Sequence, residues 1–422
     1  MPTHVRTVCL EFFGRAHEAV PAIVEVKAHM DGKPGGVLLA GLEHLDARYV
    51  KAVGYATKAA RNSRPTMVLL ADLAGDDEAA TDAAASRIVE LAQGRGGEGF
   101  VARSAETRKK FWLDRSRTAA IAAHTNAFKV NEDVVIPLDR LGDYTDGIER
   151  INIELSTRNK LALLDALEGF IQGELPLNAQ EDDVVADPES TRERRQRALA
   201  LVDEVRARWQ GYLADLDAPL APTACGLDGR ALDGGKSVFL ALQDHSVRVS
   251  WKREVRAELR QIFTGREYEP VLAACEKLHQ QVRKSRVFVA LHMHAGDGNV
   301  HTNLPVNSDD YAMLQTANQA VARIMRLAQD LGGVISGEHG IGITKLEFLA
   351  EDTLRHFAAY KNRVDPESRF NAGKLAQGSD LRNAYTPSFS LLEMESLIME
   401  QSEIGAIADS IKDCLRCGKC KP

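Results

Sequence analysis

The run Val287-Phe-Val-Ala-Leu-His-Met-His294-Ala-Gly-Asp-Gly298-Asn-Val-His301-Thr-Asn-Leu304 decides how this chain is read. Residues 287–291 are apolar, Ala295-Gly-Asp-Gly298 is turn chemistry, and residues 300–304 resume strand composition. Glycine reaches positive φ without steric cost, so the two stretches fold back on each other as a hairpin. Such a hairpin sets His294 and His301 side by side at its mouth. A second run, Ser336-Gly-Glu-His-Gly-Ile-Gly342, follows the apolar pair Val334-Ile335. It offers Glu338 as a hard oxygen ligand and His339 as a titratable neighbour. Two histidines and a glutamate form a donor set typical of catalytic metal sites with open positions. A lone histidine beside a turn is more often a satisfied surface or core group, and Glu338-His339 alone reads as a helix cap. Two Gly-flanked runs in one chain, each after an apolar strand, favour a site.

Outward from this hairpin, residues 5–13, 36–42, 65–72 and 100–103 have strand composition. Helical periodicity marks residues 16–30, 78–94, 105–123, 138–167, 188–216, 249–262, 268–282, 309–331 and 354–364. The second of these helices stops at Gly94-Arg-Gly-Gly97. Residues 169–177 return to strand-like signals. Strands and helices that do not alternate strictly as βαβ predict an α+β fold, an antiparallel sheet with helices over one face. No repeat of solenoid type is present.

At 422 residues, 44% of them apolar, the chain can bury a large core and hold two or three sub-structures. A formal net charge of −7 argues against nucleic acid or an anionic membrane as partner. No stretch approaches the roughly 18 apolar residues of a membrane span. The first residues lack the apolar core of a secretory signal. The expected location is cytoplasmic, with peripheral attachment to the inner membrane face as the alternative.

Of six cysteines, Cys9, Cys225 and Cys275 stand alone in apolar surroundings and read as buried thiols. The others form Cys414-Leu-Arg-Cys417-Gly-Lys-Cys420, the opening of the bacterial ferredoxin run that continues x3-Cys-Pro. A zinc knuckle is the alternative, and a disulfide pair is the weaker one in a reducing compartment. Zinc sites rarely use three cysteines so evenly spaced, which favours iron–sulfur. The run ends where a fourth ligand is expected, so the sequence reads as a piece of a longer protein.

The two histidine runs resemble the signature of the FAD-linked oxidase C-terminal domain. That domain occurs in flavoproteins of the vanillyl-alcohol-oxidase type, in the D-lactate, glycolate and D-2-hydroxyglutarate dehydrogenase branch. Supporting matches are Trp112-Leu-Asp-Arg115, Lys129 before Asp133-Val-Val-Ile-Pro137, and Arg369-Phe-Asn-Ala-Gly-Lys374. The family usually has Asn-Pro-Gly-Lys where this chain has Asn371-Ala-Gly-Lys374; losing the proline loosens that turn. The resemblance implies one domain over residues 1–380 with ferredoxin-like layers. Residues 381–422 would then be a linker and a helical, truncated start of a 4Fe-4S domain.

By the same resemblance His294, His301 and Glu338 hold a divalent zinc, iron or manganese ion, and His339 is the base. Arg115 and Lys129 grip the substrate carboxylate. Asn303, two residues past His301 and so on the same strand face, offers an amide to the substrate. Asn371 and Lys374 reach toward the flavin, and Cys414, Cys417 and Cys420 hold the cluster. The implied activity is FAD-dependent oxidation of a small D-2-hydroxy acid, with electrons passed through iron–sulfur centres to a quinone or cytochrome. No glycine-rich pyrophosphate cradle follows any strand, so the FAD-binding domain is expected in cis or in trans. Two rivals stand: a metal-dependent hydrolase using the His/His/Glu set, and a non-catalytic electron-transfer subunit.

Overall fold

In β1, His4–Phe12, Thr7, Cys9 and Glu11 point to one side of the pleat, and Val8, Leu10 and Phe12 to the other. The same alternation runs through the seven strands that join it. They are β2 (Leu38–Asp46), β3 (Met67–Gly75), β4 (Glu98–Ala102), β5 (Phe128–Val135), β6 (Ala290–His294), β7 (Asn299–Val306) and β8 (Val334–Ile335). The computed structural model describes residues 2–117, 120–121, 128–178, 187–220, 235–307, 310–341 and 345–371. The expectations for Cys225, Lys374, Cys414, Cys417 and Cys420 lie outside the described residues.

The eight strands form one antiparallel sheet in the order β4-β1-β3-β2-β6-β7-β5-β8. The order contains the same unit twice. β1, helix Pro21–Asp31, β2, β3, helix Glu78–Gln93 and β4 make a ferredoxin-like βαββαβ unit with strand order 4-1-3-2. β5, a long helical excursion, β6, β7, helix Tyr311–Asp330 and β8 repeat it in the equivalent order 8-5-7-6. The halves join along β2 and β6, where Glu43 faces His294 and Leu45 faces His292. The fold is therefore α+β with an antiparallel sheet, as its composition predicts.

Register assigns each face a different character. Val8, Leu10, Leu69, Leu73, Met293, Val300, Leu304 and Val134 share one face and are essentially inaccessible to water. Burying each such side chain contributes about 1.5–3 kcal/mol. Helices Pro21–Asp31, Glu78–Gln93 and Tyr311–Asp330 pack against this sheet. The other face carries Thr7, Asp72, Glu43, His292, His294, His301, Asn303 and Asp133.

The chain divides into two compact units, residues 1–148 with 289–422 and residues 149–288. The second is helical, with Trp209, Trp251, Phe263, Tyr268 and Leu164 in its core. Residues 169–177, expected to be strand-like, are instead the end of helix Leu141–Gln172 and the irregular chain after it. The reason is packing. Leu167, Ile171 and Leu175 recur every fourth residue and are buried in the helical core. Cys9 and Cys275 are buried free thiols, and burial pushes them up to about 11 and about 12.

Candidate metal centre

The β6–β7 hairpin carries the histidines, and its turn is fixed by Gly298. This residue has φ +70°, and a Cβ placed there would lie 2.2 Å from the carbonyl oxygen of Ile136. Only glycine lets the turn dock on the end of β5, where Ile136 N–H donates to the Gly298 carbonyl at 2.9 Å. Pairing sets His292, not His294, directly opposite His301. His294 is the diagonal neighbour, and its ring meets that of His301 edge-on with centroids 5.0 Å apart. The two histidines are thus adjacent, as expected, on the diagonal of the strand pairing.

Each imidazole is aimed by a carboxylate. Nδ1 of His294 donates to Oε1 of Glu43 at 2.7 Å, and Nδ1 of His301 donates to Oδ1 of Asp133 at 2.7 Å. An ionised carboxylate can only accept, so the proton sits on Nδ1 and the Nε2 lone pair of each ring is left outward. His294 Nε2 lies 3.6 Å from Glu338 Oε1, and His301 Nε2 lies 3.4 Å from Glu338 Oε2. Ligand atoms of all three residues fall within 4.8 Å of one another. The Asn299 amide donates to Glu338 Oε2. Paired Nε2 atoms, a facing carboxylate and anchored Nδ1 atoms fit a divalent ion.

Glu338 and His339 sit in a tight turn just past β8, closed by Gly340 N–H donating to the Gly337 carbonyl at 2.9 Å. Gly340 has φ +82°, which suits glycine. His339 is 52% exposed, open to a ligand, and its Nε2 is 3.8 Å from Oδ2 of Asp133. Lys345, buried, donates to that Oδ2 at 3.1 Å and to the Ser336 carbonyl at 3.1 Å. Burial alone pushes the Asp133 carboxyl up. Its bond to His301 and the charge and bond of Lys345 outweigh that and hold it below the usual range.

The remaining expected residues differ in what surrounds them. Asn303 is fully buried beside the pair; its amide donates to His292 Nδ1 at 3.0 Å, and its Oδ1 has no partner among the described residues. Leaving such an acceptor unmet costs about 1–3 kcal/mol, which a donor on a bound ligand would relieve. Arg115 reaches the site from helix Ala105–Ser116, whose N-terminus is capped by Ser104. Arg108, Trp112 and Arg115, spaced i, i+4, i+7, bond Thr7, Asp72 and Glu43 respectively. Lys129 lies in β5 opposite Pro305. Asn371 is exposed beyond helix Glu351–Val364 and makes no described bond to the histidine cluster.

Sequence reasoning missed Glu43, Asn299 and Lys345, and quoted Asp133 without a role. A buried acid facing a histidine across a strand pair is a signal only once the pairing is known.

The profile of the FAD linked oxidases, C-terminal domain, matches residues 2–161 and 267–375. Among curated proteins, the glycolate oxidase subunit GlcD of Escherichia coli (strain K12) is 34% identical over 110 residues, 25% of this chain and 21% of that protein. A D-lactate dehydrogenase of Archaeoglobus fulgidus is 38% identical over 87 residues, 20% of this chain and 19% of that protein. The mitochondrial D-lactate dehydrogenase [cytochrome] 1 of Saccharomyces cerevisiae is 28% identical over 151 residues, 34% of this chain and 22% of that protein. Matched residues thus cover about a fifth of these relatives' own length. The two histidine runs, the ferredoxin-like sheet that carries them and the profile match agree: the chain belongs to the FAD-linked oxidases and carries their C-terminal domain.

Proposed function

We propose that this chain forms the substrate- and metal-binding part of an FAD-dependent dehydrogenase that oxidises a small D-2-hydroxy acid of the D-lactate or glycolate kind. The observation that carries the reading is the convergence of His294 Nε2, His301 Nε2 and the Glu338 carboxylate, with both Nδ1 atoms anchored by acids. These three residues would hold zinc, iron or manganese, and such an ion supplies Lewis-acid polarisation of the substrate hydroxyl. FAD, from a domain in cis or in trans, supplies the hydride acceptor.

The chain's own residues then divide the remaining work. His339, exposed beside the cluster, takes the hydroxyl proton. Arg115 and Lys129 bind the substrate carboxylate, and Asn303 holds the hydroxyl end with its unpartnered Oδ1. Asn371 and Lys374 would contribute to holding the flavin. Cys414, Cys417 and Cys420 contribute to a 4Fe-4S cluster that passes electrons singly toward a quinone or cytochrome. Among the described residues no helix is long and apolar enough to cross a membrane.

The family match supports this reading over a hydrolase, because hydrolysis needs no flavin. The test is anaerobic flavin reduction by D-lactate or glycolate in the protein supplied with its FAD domain. The native protein bleaches the flavin; His339→Asn slows bleaching by 100-fold or more, the range of a lost general base, while retaining its metal. Equal bleaching rates would remove His339 from the base role, and bleaching by neither substrate would remove the substrate class.

A further inference from the structure

Glu43 binds in two directions at once. Its Oε1 accepts from His294 Nδ1 at 2.7 Å, and its Oε2 accepts from Arg115 Nε at 3.0 Å, with Nη2 in ion-pair contact at 2.8 Å. Both partners of the ion pair are largely withdrawn from water, the Glu43 and Arg115 side chains being 13% and 14% exposed. That separates the pair from solvated surface bridges of little consequence. Glu43 also stands directly opposite His294 where the two half-sheets join. We propose that Glu43 is a positioning residue that locks the tautomer of His294 and ties that metal ligand to Arg115, so that one carboxylate keeps the metal and substrate-carboxylate sites in register. The inference rests on the metal-site reading above.

A carboxylate on Nδ1 enforces the Nδ1–H form, which leaves Nε2 free to bind a metal, and it fixes the plane of the ring. Arg115 in turn supplies the countercharge that makes a buried Glu43 carboxylate tolerable. Nε and Nη2 of the guanidinium are turned to Glu43, and the remaining donors of the fork would meet a substrate oxyanion. Asp133 anchors His301 in the same manner, and its second oxygen meets Lys345 at 3.1 Å and lies 3.8 Å from His339 Nε2. Among the described residues, Glu43 is the carboxylate that joins a proposed metal ligand to Arg115.

Glu43→Gln and Glu43→Ala test it, with His294→Ala as reference and circular dichroism to verify folding. Two quantities are read: zinc affinity by competition with a chromogenic chelator, and the His294 tautomer from imidazole ¹⁵N shifts of the metal-free protein in alkaline buffer. Both Glu43 variants are expected to weaken zinc binding 10- to 100-fold, as loss of an outer partner does, and to convert His294 from Nδ1–H toward a tautomer mixture. Zinc binding lost in His294→Ala but native in both Glu43 variants, with the tautomer unchanged, would overturn the role of Glu43 alone. A native protein with no His294-dependent zinc binding would overturn the metal reading and this proposal with it.

Discussion

Asp133 is wholly buried, and its partners are what make that tolerable. His301 and Lys345 satisfy its two oxygens. Removing one member of a buried pair strands the other's charge, so Lys345→Met should cost about 3–5 kcal/mol in urea denaturation. A loss below about 1 kcal/mol would mean that Asp133 finds another partner. Its neighbour Glu132 faces the opposite side of the sheet and has a buried oxygen without a partner among the described residues. Burial pushes this carboxyl from 4.5 to about 7, partly countered by the charge of Lys345 and reinforced by Asp133. The folded protein thus keeps a proton there that the unfolded chain has already released, and this contribution to stability is lost as pH rises from 4.5 through about 7. Glu132→Gln should therefore match the native protein near pH 4.5 and exceed it at pH 8 by about 3 kcal/mol. Parallel stability–pH curves for the two proteins would show that Glu132 is ionised in the fold.

At the scale of elements, the hairpin turn and the outer end of β2 matter most. Gly298→Ala must move the Ile136 carbonyl or abandon the positive φ. The expected outcome is a loss of about 2 kcal/mol or more together with weakened metal binding; native thermal stability and metal content would contradict this account of the turn. The hairpin was legible because glycine turns and alternating apolar residues are local signals. β2 was legible only in part. Its composition reads as a strand over residues 36–42, whereas the strand runs Leu38–Asp46 and includes Glu43 and His44. These polar residues look like the end of a strand until β6 pairs with them. Burial then pushes the His44 imidazole down to about 3, with the Arg115 charge adding to it, and the ring stays neutral. Helix Ala105–Ser116 was legible by its periodicity, but its polar inner face was not, because Arg108, Trp112 and Arg115 meet Thr7, Asp72 and Glu43 rather than apolar residues.

The eight-stranded sheet repeats one βαββαβ unit, a duplication visible in its strand order. The second half is interrupted between β5 and β6 by the helical unit of residues 149–288. The family profile skips residues 162–266, which fall inside that unit. Glu43, Asp133, His294, His301, Glu338 and His339 all belong to the other unit. Trp209→Ala, in the helical core, should therefore destabilise its own unit by about 3–5 kcal/mol and leave metal content at native level below the melting transition; metal loss in the folded variant would tie the insertion to the site. The most direct test of the metal centre is elemental analysis of the purified chain beside a His294→Ala/His301→Ala variant. About one zinc, iron or manganese ion per native chain, absent from the variant, is the predicted result. No metal in the native chain, or equal metal in both, would contradict it.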